Sequence, residues 1–291
     1  CLSIPTEYGE QIVGLRKSTE PEFRTALLGQ HRRIAKADVL SQLPPKIYSV
    51  RTVDLPPEYR RAYDSMESDM LAELPDGGEL SVMSVLAQLT RLAQLASAAA
   101  DVRVEFERTI DEYGTEIERP HYHVSLREPS WKVDALLEIL SERSGKPTVA
   151  AAPSRQLMVL AGQAAQRAGY KVGYILGDQS AKVRTNTIEA FQRGELDLIC
   201  ATTGAGGVGI TLTAADCLVF LQRPWSIVEA LQMEDRCHRI GSEQHSSIEI
   251  IDIVARDTID TRVREVLKKR AGQLADLVQD PRIVSELLGG E

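Results

Sequence analysis

The sequence predicts an α/β protein, a doubly wound parallel sheet preceded by a mostly helical segment with a β-hairpin insertion. From residue 131 onward, five short apolar runs alternate with amphipathic helical patterns, which is typical of parallel strands joined by helices. These runs are apolar throughout, so both faces of the sheet should be covered. The residues before them show mainly helical periodicity, interrupted by two alternating runs around a Tyr-Gly turn.

The first elements are predicted to be mainly helical. Apolar residues at helical spacing fill residues 21–43, and Pro44-Pro45 ends that run. Residues 47–55 (IYSVRTVDL) predict a strand. Pro56-Pro57 then opens a helix that continues to about Met70, and residues 84–100 predict another.

A β-hairpin is predicted next, because two runs of alternating apolar and polar residues flank a short polar turn. Alternation of this kind places the apolar side chains on one face of the ribbon, and that face should be buried. The residues assigned to it are Val102, Val104, Phe106, Tyr122, Val124 and Leu126.

The remaining elements alternate between helix and strand and divide the chain into three parts. We assign residues 1–71 to a helical linker region, 72–130 to a helix with an acidic hairpin, and 131–291 to the α/β lobe. The predicted strands cover 147–152, 170–176, 196–203, 217–222 and 247–254. The predicted helices cover 131–143, 154–169, 180–194 and 226–241, with a last helix from about residue 258.

Charge and composition exclude several classes of protein. The 34 basic and 42 acidic side chains give a net charge of -8, which does not favour a protein that binds nucleic acid through overall basicity. Most of this acidity lies in residues 72–130, and the α/β lobe is nearly balanced. No membrane span or signal peptide is evident. The four cysteines show no zinc-binding spacing, so we expect reduced thiols, an unexported chain and no metal site.

A glycine-rich segment follows the third predicted strand of the lobe. Gly204, Gly206 and Gly209 match the dinucleotide-binding pattern GxGxxG. Only residues 210–216 separate them from the next strand, which is too short for the crossover helix that this motif requires. Two interpretations stay open: a loop whose amides approach phosphate, or a tight turn that needs positive φ.

No motif in the chain is able to hold a nucleoside triphosphate and its metal. Lys146 follows a glycine, but the earlier glycine of a phosphate-binding loop is missing and Pro147 comes next. Asp111-Glu112 lies in a polar turn and lacks the apolar strand that would carry an acidic metal-binding box.

The predicted helix at residues 226–241 carries the strongest chemical signal. Gln232, Arg236 and Arg239 occur at i, i+4 and i+7, so one helical face should present all three. Two guanidinium groups and an amide suit an anion such as phosphate, because the planar guanidinium donates to two oxygens at once. A solvated surface helix is the alternative, since Glu234 and Asp235 lie among the arginines.

Several segments together resemble the second RecA-like lobe of SWI/SNF-type (sucrose-non-fermenting) superfamily-two helicase-like ATPases. ATTGAGGVGITLTAAD and RPWSIVEALQMEDRCHRIGS resemble motifs V and VI of that family. HRRIAKADVLSQLPPK is similar to the segment that joins its two lobes. Ser130-Trp131-Lys132 is similar to the start of its second lobe. LGDQSAKVRTNTIEAFQRG is similar to the Gly…Arg…Phe element of that lobe.

The resemblance implies roles for particular residues. Arg236 and Arg239 would be arginine fingers that contact the ATP γ-phosphate, with Gln232 beside them. The nucleotide side of the cleft would be lined by Gly206, Gly207 and Gly209. Contacts with the DNA backbone would come from Thr202, Thr203, Ser154, Lys182 and Arg184.

The resemblance also implies partners and a cellular setting. The chain would be the C-terminal half of an ATP-driven double-stranded DNA translocase or remodeller, inactive without a first lobe that holds ATP and most of the Mg²⁺ coordination. Its partners would be that lobe and double-stranded DNA. We expect a monomer with no membrane association, in the cytoplasm of a bacterial or phage-infected cell, or in a eukaryotic nucleus.

Two other functions stay open from the sequence. The same surface would serve a non-catalytic α/β module that binds nucleic acid or a protein partner. A nucleotide-dependent transferase is the third possibility, although no strand end carries a general base or metal-binding group beside the glycines.

Overall fold

The computed structural model describes residues 2–6, 9–14, 18–19, 21–23, 25–26, 36–72, 82–110, 116–206 and 209–278. Its strands are β1 (Leu2–Thr6), β2 (Gly9–Gly14), β3 (Lys46–Val53), β4 (Ala99–Ile110), β5 (Glu116–Arg127), β6 (Thr148–Ala152), β7 (Val172–Ile175), β8 (Leu198–Thr202), β9 (Cys217–Phe220) and β10 (Ile248–Ala255). Its helices are α1 (Lys36–Val39), α2 (Pro57–Ala72), α3 (Val82–Leu95), α4 (Trp131–Glu142), α5 (Arg155–Arg167), α6 (Ala181–Gln192), α7 (Thr203–Gly206), α8 (Ile227–Cys237) and α9 (Ile259–Val278).

The central sheet has six parallel strands in the order β3-β10-β9-β6-β8-β7. The five strands predicted within the lobe are all present, and the predicted fold class is confirmed. The sixth strand, β3, comes from the segment that we assigned to the linker region. It pairs with β10, which lies about 200 residues further along the chain, and no local pattern could reveal that pairing. Ile47 and Val50 are half-exposed, as expected for a strand at the sheet edge.

Helices cover both faces of the sheet because alternate strand residues point to opposite sides. Ala150 and Ala152 of β6 contribute to the core under α4 and α5. Val149 and Ala151 contribute to the opposite core, which includes Phe191 of α6 together with Met233 and Cys237 of α8. The sheet is therefore doubly wound, as the continuous apolar strands predict.

A third core joins the helical segment to the lobe. Tyr63 of α2 and Leu92 of α3 pack with Ile259 and Leu267 of α9, and Trp131 belongs to the same cluster. Where the lobe begins, the indole Nε1 of Trp131 donates to the carbonyl of residue 96 at 2.7 Å. Burial of these apolar residues stabilises the attachment of α2 and α3 to the lobe.

Lys132 is a buried charged residue at the same junction. Its side chain is fully buried, and its Nζ donates to the Leu221 carbonyl at 2.8 Å and pairs with Asp260 at 2.5 Å. A buried ammonium is tolerated when a carboxylate and a carbonyl both accept from it. Lys132 therefore fixes the loop that leaves β9 and leads to α8.

The predicted hairpin is present as β4 and β5, with Val102 opposite Val124. Its Tyr-Gly turn lies outside the described residues. Val124 is buried whereas Val102 is 39% exposed, so the apolar face at the base of the ribbon is only partly covered. The preceding helix α3 ends at Leu95 rather than near residue 100, because Ala99 already starts β4 and its amide donates to the Pro129 carbonyl.

The start of the chain is less helical than predicted. β1 and β2 form an antiparallel pair. Within the predicted helix at residues 21–43, the described residues 21–23, 25–26 and 36–39 are helical, whereas residues 40–43 are not. Part of the predicted helix at residues 21–43 lies outside the described residues.

Candidate functional site

Helix α8 carries two of the three polar residues that the sequence places on one face. It begins after Ser226, whose hydroxyl accepts from the Glu229 amide, and it ends at Cys237. His238 leaves the helical conformation with φ -97° and ψ 79°. The prediction that Arg239 continues the same helical face is therefore wrong, whereas Gln232 and Arg236 remain one turn apart on α8.

Tertiary contacts explain why α8 ends early. The Arg236 carbonyl, which lacks an intrahelical donor, accepts from the Leu212 amide at 2.9 Å. The imidazole Nε2 of His238 lies 2.9 Å from the Pro44 carbonyl. Burial and then the charge of Lys46 lower the pKa of His238, so a neutral, packed imidazole is favoured.

Arg239 returns to the neighbourhood of Arg236 although it lies beyond the helix. Its Nη1 donates to the Ile210 carbonyl at 3.2 Å. Burial lowers the pKa of Arg236, and the charge of Arg239 lowers it further. Two guanidinium groups that repel each other are suited to an anion with several oxygens, because phosphate would neutralise both charges.

The glycine-rich segment runs alongside α8. Thr203 donates through its hydroxyl to the Glu229 carboxylate at the start of the helix. Further along, a Cβ atom on Gly206 would lie 2.6 Å from the Met233 sulfur. Among the described residues between β8 and β9, the four-residue α7 is the only helix.

The three glycines proposed to line the nucleotide cleft have different surroundings. Gly206 is buried against α8, so its missing side chain permits close packing of the segment on that helix. Gly209 is exposed and has a φ of +59°, which a glycine adopts without strain. Gly207 lies outside the described residues.

The residues proposed to contact DNA follow three neighbouring strands. Ala152 and Thr202 are partners in the register of β6 and β8, so Ser154 and Thr203 follow at the same edge of the sheet. Ile175 of β7 pairs with β8 in turn, and α6 follows that strand. In parallel α/β sheets the carboxyl ends of the strands form the ligand-binding edge.

These polar side chains differ in how accessible they are. Thr202 and Thr203 are buried, and Ser154 is half-buried with its hydroxyl accepting from the Leu157 amide to cap α5. In the first turn of α6, Lys182 is exposed and Arg184 is half-buried. Within the described part of the chain, the Nε of Arg184 is buried and has no hydrogen-bond partner.

A buried ionic network lies behind α8 and was not evident from the sequence. The Glu234 side chain is fully buried, and its carboxylate accepts from Lys46 Nζ at 2.9 Å and from Tyr48 Oη at 2.9 Å. Arg223 donates to the same carboxylate at 3.2 Å and to Asp252 at 2.8 Å. Burial opposes the charge of Arg223, but these two carboxylates outweigh burial and raise its pKa.

Helical periodicity could have revealed the burial of Glu234. It lies seven residues after Ile227 and four after Ala230, both of which are buried on α8. The alternative interpretation of α8 as a solvated helix with interspersed acids is therefore wrong for Glu234. The partners Lys46 and Tyr48 had no local signal because they lie on β3.

The segment that resembles a lobe-joining linker also contacts α8. Lys36 Nζ donates to the His238 carbonyl at 3.1 Å and pairs with Asp235 at 2.8 Å. Together with the contacts of Pro44 and Lys46, this segment follows the last turn of the helix. The two arginines of the linker motif lie outside the described residues.

Neither a metal-binding cluster nor a membrane-spanning helix occurs among the described residues. No group of three or more His, Cys, Asp or Glu residues among them is arranged to hold a metal ion. None of the helices in the described ranges has both the length and the apolar composition needed to cross a membrane.

Comparisons with known proteins agree with this architecture. Residues 131–241 match the model of the helicase conserved C-terminal domain. The chain is 26% identical over 241 residues to an uncharacterized ATP-dependent helicase of Mycoplasma genitalium, covering 82% of the chain and 21% of that protein. It is also 26% identical to a probable chromatin-remodeling complex ATPase chain of Oryza sativa subsp. japonica, with 87% of the chain and 22% of that protein covered. The chain thus spans about a fifth of the length of these relatives.

Solved structures show the same fold. The C-terminal part of the Fun30 ATPase domain superposes with a TM-score of 0.61 at 16% identity, over 84% of this chain and 98% of that one. The SWI2/SNF2 ATPase core of Sulfolobus solfataricus in complex with double-stranded DNA superposes with a TM-score of 0.59 at 17% identity, over 93% and 56% of the two chains. Together with the motifs, these matches support the resemblance: residues 131–241 match the helicase C-terminal domain, and the chain is similar to the C-terminal lobe of SNF2-type, superfamily-two helicase-like ATPases.

Proposed function

We propose that this chain is the C-terminal motor lobe of an ATP-dependent double-stranded DNA translocase or remodeller. The observation that carries the proposal is the proximity of Arg236 and Arg239 at the end of α8, beside the glycine-rich segment. ATP dependence and remodelling are part of the names of similar proteins, and one structural neighbour is bound to double-stranded DNA. We carry both features over to this chain.

In this proposal Arg236 and Arg239 are catalytic residues that contact the γ-phosphate of ATP. Charge that develops on the phosphoryl oxygens during transfer is stabilised by the two guanidinium groups, and such an arginine contributes on the order of 10³–10⁵ in rate. Gln232 lies one turn before Arg236 and orients the same phosphate. Gly206, Gly207 and Gly209 allow the backbone to approach the nucleotide.

A first RecA-like lobe completes the ATP site. As the family resemblance implies, that lobe would supply the phosphate-binding loop and the acidic residues that hold Mg²⁺. Mg²⁺ supplies charge neutralisation on the phosphates, and the residues of this chain supply the arginines from the opposite side.

DNA binds along the carboxyl edge of β6, β8 and β7. Lys182 and Arg184 contact phosphates, and Ser154 and Thr202 contribute hydrogen bonds from the strand ends. Thr203 contributes least through its hydroxyl, which already donates to Glu229. A groove of this kind needs only a few cationic contacts, so it is compatible with the net charge of -8.

The proposal includes an assembly and a cellular setting. The lobe acts as a monomer, with the first lobe and double-stranded DNA as partners. It works where DNA is found, in the bacterial cytoplasm or the eukaryotic nucleus. The proposed division is residues 1–71, 72–130 and 131–291. Strand β3 of the first part forms an edge strand of the sheet in the third.

Mixing experiments test this function. We expect the 291-residue chain alone to hydrolyse ATP negligibly, and we expect double-stranded DNA-stimulated hydrolysis when a separately made first lobe is added. Hydrolysis by the isolated chain would contradict the proposed division of labour. Binding of DNA without any hydrolysis in the mixture would favour a non-catalytic binding module instead.

A further inference from the structure

The last turn of α8 is held from outside by a segment that is distant in sequence. Lys36 binds the His238 carbonyl and the Asp235 carboxylate. The Pro44 carbonyl lies against His238, and Lys46 lies 3.6 Å from Asp235. Residues 36–46 thus contact the end of α8, where Arg236 and Arg239 lie.

Glu234 is the point at which β3 reaches into this turn. Its buried carboxylate accepts from Lys46 and Tyr48 on β3 and from Arg223. A fully buried carboxylate is tolerated only where its donors stay in place, because removing one leaves charge without compensation. The position of β3 and the position of Glu234 are therefore fixed together.

Glu234 lies two residues before Arg236 in a continuous helix, so a shift of its carboxylate moves the arginine as well. On the opposite side, the Arg236 carbonyl is bound by the Leu212 amide, and Arg239 donates to the Ile210 carbonyl. The arginine pair thus lies between residues 210–212, which directly follow the glycine-rich segment, and the ionic contacts from β3. Misplacement of a reacting group by about 1 Å is enough to cost on the order of 10²-fold in rate.

We infer that Glu234, through Lys46 and Tyr48, is a positioning residue that sets the location of the arginine pair. The inference rests on the proposed function, because the arginines are catalytic only if ATP is turned over. The predicted consequence is specific: weakening the contact between β3 and Glu234 lowers the rate of the chemical step and leaves the affinity for ATP and DNA nearly unchanged.

Two substitutions and a matched control on the same strand test the inference. Lys46→Met removes the ammonium from Glu234, and Tyr48→Phe removes the hydrogen bond from the Tyr48 hydroxyl to Glu234 while preserving the ring. Arg51→Met is the control, because Arg51 pairs with the exposed Glu142 of α4 and makes no contact with α8 in the described structure. Lys46→Arg restores the positive charge and should recover most of the activity.

In a mixture with the first lobe and double-stranded DNA, we expect Lys46→Met to lower kcat at least tenfold, with KM for ATP and DNA affinity within twofold. Tyr48→Phe should lower kcat about threefold, and Arg51→Met should change nothing beyond twofold. A kcat within twofold of the parent for both test variants would overturn the inference. An equal loss for Arg51→Met would overturn it too, because the effect would then belong to β3 as a whole.

A second measurement separates this inference from the proposed function. Amide hydrogen exchange on the 291-residue chain should become at least tenfold faster at residues 233–239 in Lys46→Met, and it should stay unchanged there in Arg51→Met. If the parent mixture shows no ATPase activity, the proposed function fails, and the exchange result still decides whether β3 holds α8. If Lys46→Met does not fold, Tyr48→Phe decides by the same two readouts, and unchanged exchange in that variant would count against the inference.

Discussion

Arg223, which pairs with Glu234 of α8, and Arg236, which lies on α8, have opposite electrostatic surroundings. Arg223 is buried between the carboxylates of Asp252 and Glu234, which raise its pKa despite burial. Arg236 has its pKa lowered by burial and by the nearby charge of Arg239. An arginine between two carboxylates holds elements of the fold together, whereas two arginines that repel each other favour the arrival of an anion.

The difference matters because one helix contributes to both environments. Glu234 belongs to the buried network behind α8. Arg236, two residues later, accepts through its carbonyl from the Leu212 amide, shortly after the glycine-rich segment. We therefore expect changes in the buried network to lower stability, and to affect turnover only through the position of Arg236, whereas loss of an arginine on the second side lowers turnover directly. Three predictions test this separation.

The largest effect is expected for Arg239→Ala, on the side of α8 away from the buried network. In the presence of the first lobe, ATP turnover should fall by about 10³-fold or more, because an arginine finger contributes on that order. Affinity for double-stranded DNA, measured by fluorescence anisotropy, should stay within twofold. Arg193→Ala is the control, since Arg193 is exposed and pairs with Glu195. Equal losses of binding and turnover would contradict the role of Arg239.

On the buried side, Asp252→Asn should lower the free energy of unfolding by about 3–5 kcal/mol, because it removes one of the two carboxylates that compensate the buried charge of Arg223. Asp252 accepts from Arg223 and also from Arg264. Urea unfolding followed by circular dichroism measures the change. Asp178→Asn is the matched control, since its partner Arg155 is exposed and such pairs contribute little. A similar shift in both variants would show that burial is not the cause.

The smallest effect is expected where the glycine-rich segment packs on α8. Gly206→Ala should cost about 1 kcal/mol, because its Cβ would meet the buried Met233 sulfur, although that flexible side chain is able to shift. Gly204→Ala in the same turn has open space at the Cβ position and should cost nothing measurable. Thermal unfolding compares the two variants. Equal destabilisation would mean that α7 requires glycine for a reason other than its contact with α8.

Much of the fold could be predicted from local pattern. The strands of the lobe are continuous apolar runs, and the start of α8 is marked by a serine that caps it. The hairpin followed from alternation, and its observed register places Val102 opposite Val124. In each case the signal lies within a few residues, because apolar spacing and caps act over one or two turns or strands.

Part of the candidate site could be predicted in the same way, and part could not. The identity of Arg236, Arg239 and the glycines is a matter of sequence, and their roles remain predictions. The end of α8 is not a local property, since His238 leaves the helix where it contacts Pro44, 194 residues away. Helical spacing alone therefore placed Arg239 on the wrong element.

The sequence by itself determined the doubly wound α/β class, the order of strands and helices in the lobe, and the motifs by which it resembles the SNF2-type family. Only the tertiary structure decided that β3 completes the sheet, that Glu234 is buried, and that Arg239 returns to Arg236 from beyond the helix. The physical reason is range. Periodicity and capping are read within one element, whereas strand pairing and buried ion pairs join residues almost 200 positions apart, such as Lys46 and Glu234.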